Sequence, residues 1–221
     1  MSNIVESLSK RAHVVHYKTN VEDIPTKSEI EEILRIGYPL ATSKQNAFPY
    51  QCHVLGPNLK RSENIYQMCE MNKIVFDIDS EKNYNANPYL FHVRTAPWIL
   101  IWAPRLAPPN QFNKESIEET GTMWEFDDKD YIPKAEKSYA IEVGMIAKIL
   151  TGVILDKGYD TSYTSCFPHQ IKRWTKYPFI KHAPFLIQTI GKSKLYKWQN
   201  MKPENLKKDT CPPFEDIFTF R

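Results

Sequence analysis

The sequence predicts a single domain that mixes helices with strands, α/β or α+β, and three observations carry that expectation. Its 221 residues suit one domain spanning 1–221, and at 42% apolar they can furnish a substantial core. Helical periodicity and continuous apolar runs alternate along the chain: "PTKSEIEEILRIGYPLA" repeats apolar residues at helical spacing, whereas "TAPWILIWA" is apolar throughout and ends at a proline. Strand-like runs near residues 51–55, 97–103 and 184–190 are separated by helical stretches, with no internal repeat or low-complexity tract.

From Pro25, Ser28 and Glu31 form a candidate capping box, and Ile30, Ile33 and Leu34 share a face of the helix they open, which Gly37 and Pro39 close. The polar turn "ATSKQNAFPYQCHVLG" follows, stiffened by Pro49, and leaves as a short strand at "QCHVLG". In "NLKRSENIYQMCEMNK", Ile65, Met68, Cys69 and Asn72 recur at three and four residues and predict a second helix. Between Phe76 and Val93, abundant Asp, Asn and Lys predict an exposed connection; residues 97–103 then form a buried central strand in which Trp98 and Trp102 pack the sheet. Residues 104–137, with "APPNQF" and "EFDDKDYIPK", read as a loop-rich segment with a short helix at 115–124, the kind of stretch that often serves as a lid or binding loop. "SYAIEVGMIAKILTGVILDKGYD" places apolar residues around most of a helix closed by Lys157 and Gly158. Such a helix is buried either at the centre of the domain or against a second subunit. Beyond "TSYTSCF" and the basic, aromatic "HQIKRWTKYPF", residues 185–190 form another strand.

Composition narrows the function. A net charge of +3 spread along the chain gives no basic face for nucleic acid, although it suits a small anionic ligand. No stretch approaches the roughly 18 consecutive apolar residues of a membrane span, so a soluble, cytoplasmic protein without a membrane partner is expected. Cys52, Cys69, Cys166 and Cys211 are too dispersed for a zinc motif, which leaves reduced thiols and no metal site as the expectation. Neither a dinucleotide-binding glycine fingerprint nor a phosphate loop is present, so any phosphate must be held otherwise.

Three segments together resemble the FMN-dependent nitroreductases. "RAHVVHY" (from Arg11) is similar to that family's R-R-S-x-R motif, "TSKQNAFPY" (from Thr42) to its P-S-x-x-N-x-Q-P-W turn, and "AIEVGMIAKILTGVILDKGYDTSY" to its long buried helix and the turn after it. Ala12, His13 and Val15 stand where Arg, Ser and Arg are usual, and Thr42, Phe48 and Tyr50 where Pro, Gln and Trp are. The resemblance implies an α+β fold with a mostly antiparallel central sheet flanked by helices, and a homodimer with FMN at the subunit interface. It also implies NAD(P)H-dependent oxidoreductase activity, with hydride passed through FMN to a nitroaromatic, quinone or similar flat acceptor by a ping-pong mechanism.

The resemblance also assigns roles. Arg11, whose guanidinium can form bidentate charge-assisted bonds, and His13 become phosphate ligands, with Lys192 and Lys194 of "GKSK" completing the site. Ser43 and Asn46 offer short polar groups to the ribityl chain and ring, as an amide that both donates and accepts can. Thr164, Ser165 and Cys166 approach the ring from the other side, chiefly through backbone N–H groups, and Trp124 and Phe126 gate the substrate face. No catalytic acid or base is required, because the cofactor carries the chemistry. The alternative from another class is a non-catalytic protein that binds or stores flavin.

Overall fold

A computed structural model describes residues 14–43, 46–76, 91–105, 110–112, 114, 136–165 and 171–196. Among the described residues six strands are present: β1 (Val14–Tyr17), β2 (Tyr50–Leu55), β3 (Trp98–Pro104), β4 (Asp160–Thr164), β5 (Leu186–Gly191) and β6 (Ser193–Tyr196). They alternate with helices α1 (Lys27–Gly37), α2 (Leu59–Phe76), α3 (Phe91–Thr95) and α4 (Glu136–Asp156). Four strands form a sheet in the order β2-β3-β5-β4, and β1 pairs with β6 in a separate ribbon; every pairing is antiparallel, so the fold is α+β.

β3 explains the architecture. Side chains alternate across a strand, so Trp98, Leu100 and Trp102 enter one core with Ile30 and Ile33 of α1 and Val143, Ile146 and Leu150 of α4. Ile99 and Ile101 enter a second core with Ile65 and Cys69 of α2, Val93 of α3, and Val14 and Tyr17 of β1. All seven residues of β3 are buried because both faces are covered, which is why its sequence is apolar without alternation.

Helix α1 forms as expected, but its capping box lies two residues earlier, at Thr26 and Glu29 rather than Ser28 and Glu31. The Thr26 hydroxyl accepts from Glu29 N–H (3.3 Å) while the Glu29 carboxylate accepts from Thr26 N–H (2.7 Å). Tertiary contacts favour this frame: Tyr159 donates its hydroxyl to Glu29, and the Trp98 indole donates to the Pro25 carbonyl (2.6 Å). Where α1 meets α4, a Cβ on Gly37 would fall 2.4 Å from Leu150 Cδ2, so the two helices approach through the missing side chain. Helix α4 ends in a Schellman turn: Gly158, at φ +78°, donates to the Leu155 carbonyl and Tyr159 to that of Ile154 (both 3.0 Å), bearing out the predicted stop.

The stretch read as an exposed connection ends in α3, whose His92 and Val93 are fully buried. Strands β1, β4 and β6 have no counterpart among the strands expected from sequence. β4 reads Asp-Thr-Ser-Tyr-Thr, yet Thr161, Ser162 and Thr164 are buried. Their polar groups are matched inside: Gln188 donates to the Thr161 hydroxyl (3.2 Å), Thr189 donates its hydroxyl to the Ser162 carbonyl (3.2 Å), and Ser162 Oγ accepts from Val14 N–H (3.1 Å). The Thr189 hydroxyl also meets the Tyr17 hydroxyl (2.9 Å) and His92 Nδ1 (3.0 Å), so β1 is fastened to the sheet through buried hydroxyls. Among the described residues no helix is long and apolar enough to cross a membrane.

Candidate functional site

The site is built from the end of α1. Pro39 in the 3-10 turn Tyr38–Leu40 stops the helix, and the chain leaves extended at Ala41. It then folds on itself: Ser43 Oγ accepts from Phe48 N–H (2.7 Å), and the Ser43 carbonyl accepts from Asn46 N–H (3.0 Å). The conformation requires positive φ at two non-glycine residues, +53° at Asn46 and +45° at Phe48. Asn tolerates this region; for Phe it costs about 1–2 kcal/mol, which the surroundings must hold in place. Part of that hold is aromatic, since the Phe48 ring lies 5.4 Å from that of Tyr38 and 6.1 Å from that of Tyr50, which in turn packs edge-on against Trp102.

The rest comes from Arg105, the residue after β3. Its N–H donates to the Pro49 carbonyl (3.0 Å), Nε to that of Phe48 (3.1 Å) and Nη2 to that of Ala47 (3.1 Å). Asn110 Nδ2 donates to the Asn46 carbonyl (3.3 Å). Sequence reasoning missed Arg105; the signal available was a lone cation directly after a buried strand, within "APRLAPP". Beneath the turn, burial first and then the neighbouring Glu142 and Tyr38 push the Tyr50 phenol up to about 12, with Arg105 pulling the other way.

Strand register fixes where the remaining residues stand. Tyr50 pairs with Pro104, Trp102 with Leu186, and Thr164 with Ile187. The turn that enters β2 and the Thr164–Ser165 step that leaves β4 therefore lie at the same end of the sheet, on its opposite edge strands, which are three strand spacings or about 14 Å apart. Thr164 is buried and Ser165 exposed. Lys192 is not with them. It follows Gly191, which pairs with Asp160 at the start of β4, so it stands roughly 17 Å along the strands from Thr164. Its ammonium, like that of Lys18, lies 3.5 Å from Asp23.

Lys194 has a different setting. On β6, which runs back beside β1, it is exposed near His16. Burial, then Lys194, then Arg94 hold the His16 imidazole below its ordinary pKa. Arg94 also pairs with Glu63 (2.6 Å) and lies over the Tyr66 ring. Arg11, His13, Cys166, Trp124 and Phe126 fall outside the described residues. Val14, which follows His13, is bonded to Ser162, two residues before Thr164.

Helix α4 is not buried on every side. Ile141 is 64% and Met145 46% exposed, and Tyr38 and Leu40, on the 3-10 turn that packs against this helix, are each 54% exposed. Gly144, between Ile141 and Met145, is exposed, and a Cβ there would meet nothing within 4 Å.

No protein-family model and no curated relative matches the chain by sequence. Solved structures do match by fold. A protein assigned as a nitroreductase, in complex with FMN, from Exiguobacterium sibiricum superposes with a TM-score of 0.66 at 17% identity, covering 100% of this chain and 98% of that one. One assigned as an NAD(P)H:FMN oxidoreductase from Staphylococcus epidermidis gives 0.65 at 16% identity over 100% and 97%. A nitroreductase-like protein from Streptococcus mutans gives 0.63 at 16% over 98% and 97%. The likeness runs end to end and establishes the nitroreductase fold for this chain.

Proposed function

We propose that the protein is an FMN-dependent oxidoreductase that accepts hydride from NAD(P)H and delivers it to a nitroaromatic, quinone or similarly flat acceptor in a ping-pong cycle. The observation that carries this reading is the end-to-end fold likeness to a nitroreductase solved with FMN. The residues present fit that cofactor. Ser43 Oγ, already accepting from Phe48, keeps its own O–H to donate, and the exposed Asn46 amide can donate beside it, a pair suited to the acceptor-rich edge of an isoalloxazine. Exposed Lys194 is the described cation with charge to offer a dianionic phosphate, His16 beside it can offer a hydrogen bond as a neutral imidazole, and Arg94 and Lys192 are engaged with Glu63 and Asp23. On this reading Arg11 and His13 add to the phosphate site, Ser165 and Cys166 offer N–H groups to the ring, and Trp124 and Phe126 border the acceptor.

Bound FMN would supply the hydride chemistry, leaving the chain to bind, orient and shield. The rigid turn orients one edge of the ring, and the cations anchor the phosphate. The exposed apolar stripe of Ile141, Met145, Tyr38 and Leu40 supports a homodimer, since burying such a surface stabilises association. The separation of β2 from β4, about 14 Å within one chain, is compatible with a site completed by two copies.

The test is an absorbance spectrum of the purified protein, identification of any released chromophore, and assay of NADH and NADPH oxidation with a nitroaromatic acceptor. FMN release with acceptor-dependent turnover is expected. FMN release without turnover would favour flavin storage. A colourless protein that takes up no added FMN would overturn the reading.

A further inference from the structure

The four carbonyls from Asn46 to Pro49 accept hydrogen bonds from two residues beyond β3: Asn46 from Asn110, and Ala47, Phe48 and Pro49 from Arg105. A run of carbonyls drawn to one side gives the turn two unlike surfaces. Two of those acceptors, the Ala47 and Phe48 carbonyls, bond the guanidinium itself, while the Ser43 hydroxyl and the exposed Asn46 amide retain hydrogens to donate. Guanidinium is suited to this task. Its planar fork reaches adjacent carbonyls at once, and it stays charged at any working pH. Arg105 is also anchored by its own backbone, because its N–H extends the β2–β3 ladder one residue past the Tyr50–Pro104 pair. The buried strand thus fixes the clamp, and the clamp fixes two left-handed residues that would otherwise relax toward negative φ.

We propose that Arg105 is a positioning residue for flavin binding: by holding the Ala47, Phe48 and Pro49 carbonyls it keeps Asn46 and Phe48 left-handed and the donor side of the turn turned toward the cofactor. This rests on the FMN reading above, and the experiment separates the two. FMN affinity is measured by flavin fluorescence quenching on the full-length protein stripped of cofactor, for wild type, Arg105→Ala, Arg105→Lys and the control Ile99→Val, a core truncation facing the opposite side of the sheet. Hydrogen exchange of the amides from Ser43 to Tyr50 is followed in the same proteins without flavin.

Arg105→Ala is expected to weaken FMN binding about tenfold, the scale of losing one charge-assisted hydrogen bond. It should also speed exchange within the turn while β3 stays protected. Arg105→Lys should fall between, because an ammonium cannot reproduce the fork. Ile99→Val should lower the melting temperature and leave FMN affinity unchanged. If wild type binds FMN and Arg105→Ala binds it equally well, or if turn exchange is unaltered, Arg105 has no such role and the FMN reading stands. If wild type binds no FMN, the functional reading falls and the inference with it. A loss of affinity in Ile99→Val equal to that in Arg105→Ala would reduce the effect to general stability and overturn the proposal.

Discussion

β3 and β4 belong to one sheet and are both largely buried, yet they are composed in opposite ways. β3 reads Trp-Ile-Leu-Ile-Trp-Ala-Pro and is held by apolar contact on two faces. β4 is held by hydroxyls that find partners on β1 and β5. The difference teaches that burial has two routes. Apolar burial is non-directional and tolerates approximate fit, whereas polar burial is stable only when each group meets a partner of the right kind. The polar strand leads to Ser165 and the apolar strand to Arg105, so both routes end at the candidate site.

Breaking the apolar strand should have the largest effect. Leu100→Ala removes a fully buried side chain between α1 and α4 and should cost about 2–5 kcal/mol, read from chemical denaturation. Within β4, Ser162→Ala strips the acceptor from Val14 N–H and should cost about 1–3 kcal/mol, the penalty of a buried donor without a partner. What sharpens the contrast is locality: Ser162→Ala should accelerate hydrogen exchange at Val14 and along β1 more than in β3, while Leu100→Ala should loosen the whole domain. Equal loosening throughout would show that the two routes are not separable here.

The smallest effect concerns the surface. Hydrogen bonds from Tyr159 and then Thr26 hold the Glu29 carboxyl below its ordinary 4.5. A lowered acid pKa in the folded state means that the group's contribution is fully present above the unfolded value and is lost as pH falls through the folded one. Glu29→Gln should therefore lower stability near neutrality by under about 1 kcal/mol, as for other exposed pairs, and flatten the decline below about pH 4.5. An unchanged acid limb in denaturation curves from pH 3 to 7 would remove Glu29 from that account.

The same contrast explains what could be read from the sequence. β3 declared itself because nothing but burial accounts for such a run, and the stop of α4 declared itself because Gly158 supplies the left-handed residue that a helix end uses. β4 was hidden, since Thr and Ser in a row look solvated until Gln188, Thr189 and Val14 are brought to them. β1 and β6 were hidden for a related reason: each is four residues long, and Val14 pairs with Tyr196, far away in the sequence. The capping frame of α1 was ambiguous because Thr26–Glu29 and Ser28–Glu31 both satisfy the pattern, and the choice is made by Trp98 and Tyr159. At the candidate site, residue types pointed to the turn, but the role of Arg105 depends on the register that sets Pro104 opposite Tyr50. The two lysines of "GKSK" looked equivalent as letters and were separated only by the reversal of the chain after Gly191.

Two of the helix glycines, Gly37 and Gly144, suggest opposite edits to anyone wishing to harden the protein. Glycine inside a helix is about 1 kcal/mol worse than alanine, so replacing it is a routine stabilising change. At Gly37 that change would press a methyl group into fully buried Leu150, and the displaced end of α1 runs directly into the turn that begins at Ser43. At Gly144 the methyl group would meet nothing, and the isolated chain should gain from it. Because Gly144 sits between exposed Ile141 and Met145, Gly144→Ala makes a sensitive gauge of assembly. A variant that melts higher yet associates more weakly would show that this bare stretch of helix is kept open for a second copy.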